Sequence, residues 1–170
     1  MANIFDNKRN FSFKGYYYKT YSPRLSQRSG KRKIITIEEL KGNFRYWLHI
    51  HAADRYYNQN EIGFYNGRNF IQYGSRVSYQ ILNKNKYFRN FQTMLYLGYQ
   101  TRYDSNLKNR NGFSFSTSFQ NNNLWRFSIR FRGVSKLKDW YETRTEDRFI
   151  LDPKYLTTTI AVSYTHLTLP

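Results

Sequence analysis

Gly112-Phe113-Ser114-Phe115-Ser116-Thr117-Ser118-Phe119-Gln120, then Asn121-Asn122-Asn123, then Trp125-Arg126-Phe127-Ser128-Ile129-Arg130-Phe131-Arg132, is the stretch that decides the fold. A period of two, with one parity apolar and the other polar, places alternate side chains on opposite faces of a β-strand. The asparagine triplet between the two runs suits a tight hairpin turn, because Asn tolerates positive φ. The apolar parity is aromatic rather than aliphatic, and the polar parity is small residues and arginine. Lipid on one side and a wet lumen on the other would select that combination.

The same device recurs along the chain. Ile71, Tyr73, Val77, Tyr79 and Ile81 oppose Gln72, Gly74, Arg76, Ser78 and Gln80. Phe91, Leu95, Leu97, Tyr99 and Tyr103 oppose Gln92, Gln100 and Arg102, and Phe44, Tyr46, Leu48, Ile50 and Ala52 oppose Arg45, Trp47, His49 and His51. Weaker alternation covers 10–21 and 31–38, and a further strand begins at Tyr155. No convincing 3.6-residue stripe occurs, so the expectation is all-β, about eight strands of an antiparallel transmembrane β-barrel. The expected joins alternate long and short: 22–30, 39–42, 54–69, 83–86, 104–111, 121–123 and 133–154. Outer-membrane barrels alternate tight periplasmic turns with extended external loops in this way.

On this reading Arg45, His49, His51, Arg76, Arg102, Arg126, Arg130 and Arg132 face the lumen, and Phe113, Phe115, Phe119, Trp125, Phe127, Ile129 and Phe131 face outer-membrane lipid. Composition agrees: 17 Tyr, 14 Phe and 3 Trp make 20% aromatics in 170 residues, and Tyr and Trp favour the membrane–water boundary. The absence of cysteine removes disulfide and thiolate chemistry. A mean hydropathy of −0.83 is compatible with a barrel, whose lumen and loops are polar. No apolar run reaches the roughly 18 residues of a membrane helix.

A net charge of +17 and a pI near 10.1 support a rival: a basic nucleic-acid-binding β-domain with aromatics stacked on bases. Placement argues against it, because aromatics and charge are segregated over whole strands. No specific nucleic-acid partner is therefore expected. Catalytic constellations are thin. His49 and His51 share a strand face, but no carboxylate at a fitting spacing completes a metal site. Glu142, Glu146 and Asp147 beside Arg144 and Arg148 read as loop ion pairs rather than paired acids. Asp104-Ser105-Asn106 lacks the rest of a calcium loop and reads as a turn, and Gly63 and Gly67 make no phosphate loop. Neither catalysis, metal nor cofactor is expected.

Asn43-Phe44-Arg45-Tyr46, Asn60-Glu61-Ile62-Gly63-Phe64, and Asp139-Trp140-Tyr141-Glu142-Thr143-Arg144 with Arg148 and Pro153 resemble an uncharacterised family of Gram-negative (Bacteroidota-type) outer-membrane barrels. The resemblance spans residues 8–161. Asn60, Glu61, Gly63 and Phe64 carry its most specific piece, and Glu142, Arg144 and Arg148 support it. The family pattern commonly has glycine where this chain has Asp147. The resemblance implies a C-terminal barrel following a module similar to family-nine carbohydrate-binding domains, hence an outer-membrane channel, carrier or surface anchor with glycans as partners through that module. An exported protein needs a leader that 1–6 does not supply, so Met1 is expected to be an internal codon or a false start. Residues 162–170 resemble a translated sequencing adapter, which makes 1–161 the expected partial barrel domain.

Overall fold

Why alternation on this scale yields one continuous sheet is visible in the computed structural model, which describes residues 2–21, 29–57, 67–139 and 148–164. The main strands are β1 (Ala2–Phe5), β2 (Phe11–Tyr21), β3 (Ser29–Glu39), β4 (Phe44–Ala53), β5 (Phe70–Ile81), β6 (Phe88–Arg102), β7 (Lys108–Asn121), β8 (Trp125–Val134) and β11 (Tyr155–Tyr164). Each pairs antiparallel with its neighbour in chain order, giving one nine-stranded meander with β1 and β11 at its edges. A separate hairpin, β9 (Leu137–Asp139) and β10 (Ile150–Asp152), lies between β8 and β11. The described residues contain no helix. The all-β antiparallel expectation is met. The sheet is open rather than closed.

Two of the differences from the sequence expectation have a plain physical reason. A ninth strand, β1, is only four residues long and pairs through Ala2↔Gly15 and Ile4↔Phe13, too short a run for its alternation to register. The expected join at 104–111 contracts to 103–107, because β7 starts at Lys108 and its polar first residues still form ladder pairs with β6. The remaining sorting of joins persists. Residues 6–10, 40–43, 82–87 and 122–124 connect strands at one end, and 22–28, 54–69, 103–107 and 135–154 at the other. The last strand pairs with β8 through Val162↔Phe127 and Tyr164↔Trp125.

Register carries the parity across every strand boundary. On one face the row Ile50, Tyr73, Tyr99, Asn111 runs beside Leu48, Ser75, Leu97, Phe113, Gly133, Leu156 and Tyr46, Val77, Leu95, Phe115, Phe131, Thr158. Aromatic pairs stack along it, Phe119 on Phe127 at 5.0 Å and Phe115 on Phe131 at 6.4 Å. Among the described residues no second layer covers this face: Phe115 is 37% exposed and Ile160 71%. Its apolar area is far beyond the few hundred Å² that a soluble monomer leaves uncovered.

Turn chemistry explains the tight end. Asn85 Oδ1 accepts from the N–H groups of Tyr87 and Phe88 at 2.8 and 2.9 Å, and Asn121 Oδ1 accepts from Asn123 and Trp125 at 3.0 Å each. Asn122 Nδ2 then donates to the Asn85 and Lys86 carbonyls, tying the two turns together. The positive φ expected within the asparagine triplet falls instead on Leu124, at 68°. The asparagines act through their side chains, as Asx turns. Gly42, at φ 88°, takes the left-handed position of the 40–43 turn.

The buried apolar cluster lies on the opposite, polar face. Ala53 and Phe70 are covered by Tyr57, which is 1% exposed and folds back from the end of β4. Asp54 organises that return. Its carboxylate accepts from the N–H groups of Lys31, Tyr56 and Tyr57 at 2.8–2.9 Å.

Candidate functional site: the polar face

Every arginine and histidine assigned to the wet side by parity shares one face of the sheet. Ladder pairs join Arg45 to Ser78, His49 to Gly74, His51 to Gln72 and Arg76 to Tyr96. Farther along, Arg126, Arg130 and Arg132 pair with Gln120, Ser116 and Ser114. Phe113, Phe115, Phe119, Trp125, Phe127, Ile129 and Phe131 all occupy the other face. Of the loop residues, Asn60, Glu61, Gly63, Phe64, Glu142 and Arg144 lie outside the described residues, as do Glu146 and Asp147. Arg148 is exposed, just before β10.

The first part of this face, β2 to β6, is occupied by rings. Arg32 lies between Tyr18 and Tyr57, 5.7 and 5.8 Å from the two ring centres, and donates from Nε to His51 Nε2 at 2.7 Å. That bond uses the lone pair a metal would need, and His49 stands edge-on to Trp47 at 4.6 Å. No cluster of three potential metal ligands occurs among the described residues. Arg76 covers the other side of Trp47 at 5.3 Å. Lys14 pairs with Glu38, which also accepts from Ser12 Oγ at 3.0 Å.

A glycine row crosses the middle. Gly74, Gly98 and Gly112 pair consecutively on β5, β6 and β7. Tyr96 covers Gly74 and Gly98: a Cβ at Gly98 would stand 3.1 Å from its ring, and one at Gly74 would stand 3.2 Å from both Tyr96 Oη and Trp47. Aromatic cover of bare backbone replaces packing that glycine cannot supply.

Beyond the glycine row the face becomes cationic. Strands β5 to β8 and β11 contain no Asp or Glu. Arg126, Arg130 and Arg132 follow one another along β8, against the serines and glutamine of β7 and Thr157, Thr159 and Ser163 of β11. A hollow of about 440 Å³ is lined by Arg126, Arg130, Gln92, Ser116, Ser118 and Thr159. Arg110, which falls within the join expected at 104–111, joins the row across Gln100. Its signal was present: it keeps the parity of Gly112 and Ser114.

At the end carrying the longer joins, polar groups tie together the ends of β4, β5 and β6. Asn69 Nδ2 donates to Asp104 Oδ2 at 2.8 Å, Arg102 forks onto Asp104 at 2.9 and 3.0 Å, and the Asn69 N–H donates to the Asp54 carbonyl at 3.1 Å. Burial raises the Asp104 pKa, but the hydrogen bonds from Asn69 and Arg102 and the adjoining guanidinium charge outweigh it and hold the carboxyl below its usual value. Arg102 is thus an ion-paired rim residue. Arg45 is held too, donating from Nε to the Gly42 carbonyl at 3.1 Å.

Fold and face together define an all-β protein whose nine-stranded antiparallel sheet is largely apolar on one side and basic on the other. The chain belongs to the family described as Domain of unknown function (DUF5916), whose model matches residues 1–166. No curated protein and no solved structure matches it.

Proposed function

We propose that this chain forms part of the wall of a transmembrane β-barrel in a Gram-negative outer membrane, serving as a channel, carrier or surface anchor rather than an enzyme. The observation that carries the reading is the confinement of Arg45, His49, His51, Arg76, Arg126, Arg130 and Arg132 to the face opposite the rows that contain Phe113, Phe115, Phe127 and Phe131. An exposed apolar face spans the strands, while charge and hydrogen-bonding groups gather on the other face. Water on both sides would leave the first face unpaired with anything. Hydrocarbon on one side and water on the other suits both. Strands β2 to β8 and β11, each of 10–15 residues, are long enough to cross a bilayer when tilted.

The direction of the strands adds a constraint on closure. In an antiparallel meander the first and ninth strands run the same way, so β1 and β11 cannot pair antiparallel with each other. An all-antiparallel barrel therefore takes an odd number of additional strands, which fits the even totals of single-chain bacterial barrels. The resemblance to outer-membrane barrels further suggests a carbohydrate-binding module held at the membrane by this wall, with glycans as its ligands.

Expression of the chain with and without detergent tests the assignment. Micelle-dependent β-type circular dichroism, with aggregation in plain buffer through the open edges, is the expected result. A monodisperse, cooperatively melting monomer without detergent would overturn it and favour the basic nucleic-acid-binding domain.

A further inference from the structure

Lys19 on β2 and Lys31 on β3 stand directly opposite each other on the apolar face, with Lys33 two residues farther along β3 opposite Tyr17. All three side chains are exposed, and none has a carboxylate partner among the described residues. Directly opposed like charges destabilise a sheet pair. Their position is specific. Below them the same two strands present Gly15 with Ile35 and Phe13 with Ile37, and the face ends at the tight-turn side with Phe11 opposite Glu39. Tyr17 and Tyr21 flank the lysines on β2. The long-join end of the apolar face is thus basic and tyrosine-bearing, and its tight-turn end on β3 carries an acid.

We infer that Lys19, Lys31 and Lys33 form a binding site for the phosphate groups of lipid headgroups in the outer leaflet, the leaflet at the long-loop end. The inference rests on the membrane reading above. A lysine stem covers apolar surface while its ammonium reaches the interface, so three neighbouring stems can rise beside an acyl chain and converge on one phosphate. Tyrosine at the headgroup level shares the boundary. A phosphate placed there supplies the counter-charge that the Lys19–Lys31 pair lacks. Charge complementarity and the depth of the site on the hydrocarbon-facing side favour a lipid over a dissolved ion, which would approach from the wet face.

The full-length protein in nanodiscs of phosphatidylcholine alone, or of phosphatidylcholine with lipid A, tests this by thermal unfolding. Lipid A should raise the midpoint. The triple variant Lys19→Gln/Lys31→Gln/Lys33→Gln should lose most of that rise, the triple arginine variant should keep it, and Glu39→Gln should leave it intact. An equal rise in the glutamine variant, or no rise in the parent, overturns the site. An equal rise from inorganic phosphate in phosphatidylcholine discs overturns the lipid assignment in favour of a free-anion site. Failure to enter discs of either composition overturns the membrane reading as well, which separates the two failures. Should the triple glutamine variant not assemble, Lys31→Gln alone must diminish the lipid A effect, and its failure to do so also overturns the site.

Discussion

Gly30 and Tyr57 meet backbone to backbone: a Cβ on Gly30 would stand 2.2 Å from Tyr57 Cα and 2.3 Å from its nitrogen. The return of the chain after β4 is therefore seated on a bare point of β3, and this seat buries Tyr57 over Ala53 and Phe70. Gly30→Ala should unseat residues 54–57 and cost about 1–3 kcal/mol, the range for forcing atoms into a packed site. Faster hydrogen exchange at Tyr56 and Tyr57, whose amides donate to Asp54, would report it. Unchanged exchange would mean that the return is held by Asp54 alone.

The two faces respond differently to charge. Phe127, stacked on Phe119, should cost roughly 2–4 kcal/mol when replaced by arginine if it lies near the bilayer midplane. Ser128, the next residue, lies on the other face between Arg126 and Arg130, so Ser128→Gln should stay within about 0.5 kcal/mol. Equilibrium unfolding from micelles measures both. Large losses at both positions would indicate two buried faces and a sandwich.

Leu124 occupies the left-handed region at φ 68°, where a side chain with Cβ is strained by roughly 1–2 kcal/mol. Asparagine tolerates this conformation, so Leu124→Asn should raise stability by up to about 1 kcal/mol. A lower unfolding midpoint in urea would show that the half-buried leucine side chain contributes more than the strain removes.

Asp104 makes the rim sensitive to acid. Its folded pKa lies below the usual 3.8, so its stabilising contribution is present above 3.8 and is lost as pH falls through the lower folded value. The pair sits at the sheet rim with its side chains 13% and 28% exposed, and solvent screening there keeps the contribution to about 1 kcal/mol. The 103–107 turn should loosen under acid while β6 and β7 persist. Asp104→Asn should remove most of that pH dependence, as read from the exchange of the Tyr103 and Asn106 amides; an unaltered acid response would locate its origin elsewhere.

The arginine row of β8 predicts ion selectivity. If the proposed barrel forms and conducts, Arg126, Arg130 and Arg132 with no acid on the neighbouring strands should favour chloride over potassium in planar bilayers. Serine at all three positions should reduce that preference. A cation-selective pore would show that other strands dominate the field.

The eight longer strands, the two-faced character of the sheet and the side taken by Arg45, Arg76, Arg102, Arg126, Arg130 and Arg132 were legible in the sequence, because a period of two needs only neighbouring residues to be expressed. Phe113 through Phe131 declared their face without reference to any partner strand. Tertiary structure decided what depends on contacts between distant segments. The return of Tyr57 onto Gly30, the Tyr96 ring laid across the Gly74–Gly98 row, and the Lys19–Lys31 opposition each join residues from different parts of the chain. Local pattern also placed Arg110 in a loop, since polar residues at the start of β7 hide a strand whose evidence is its hydrogen-bonded register with β6. Alternation specifies which way a side chain points; only pairing specifies what it meets.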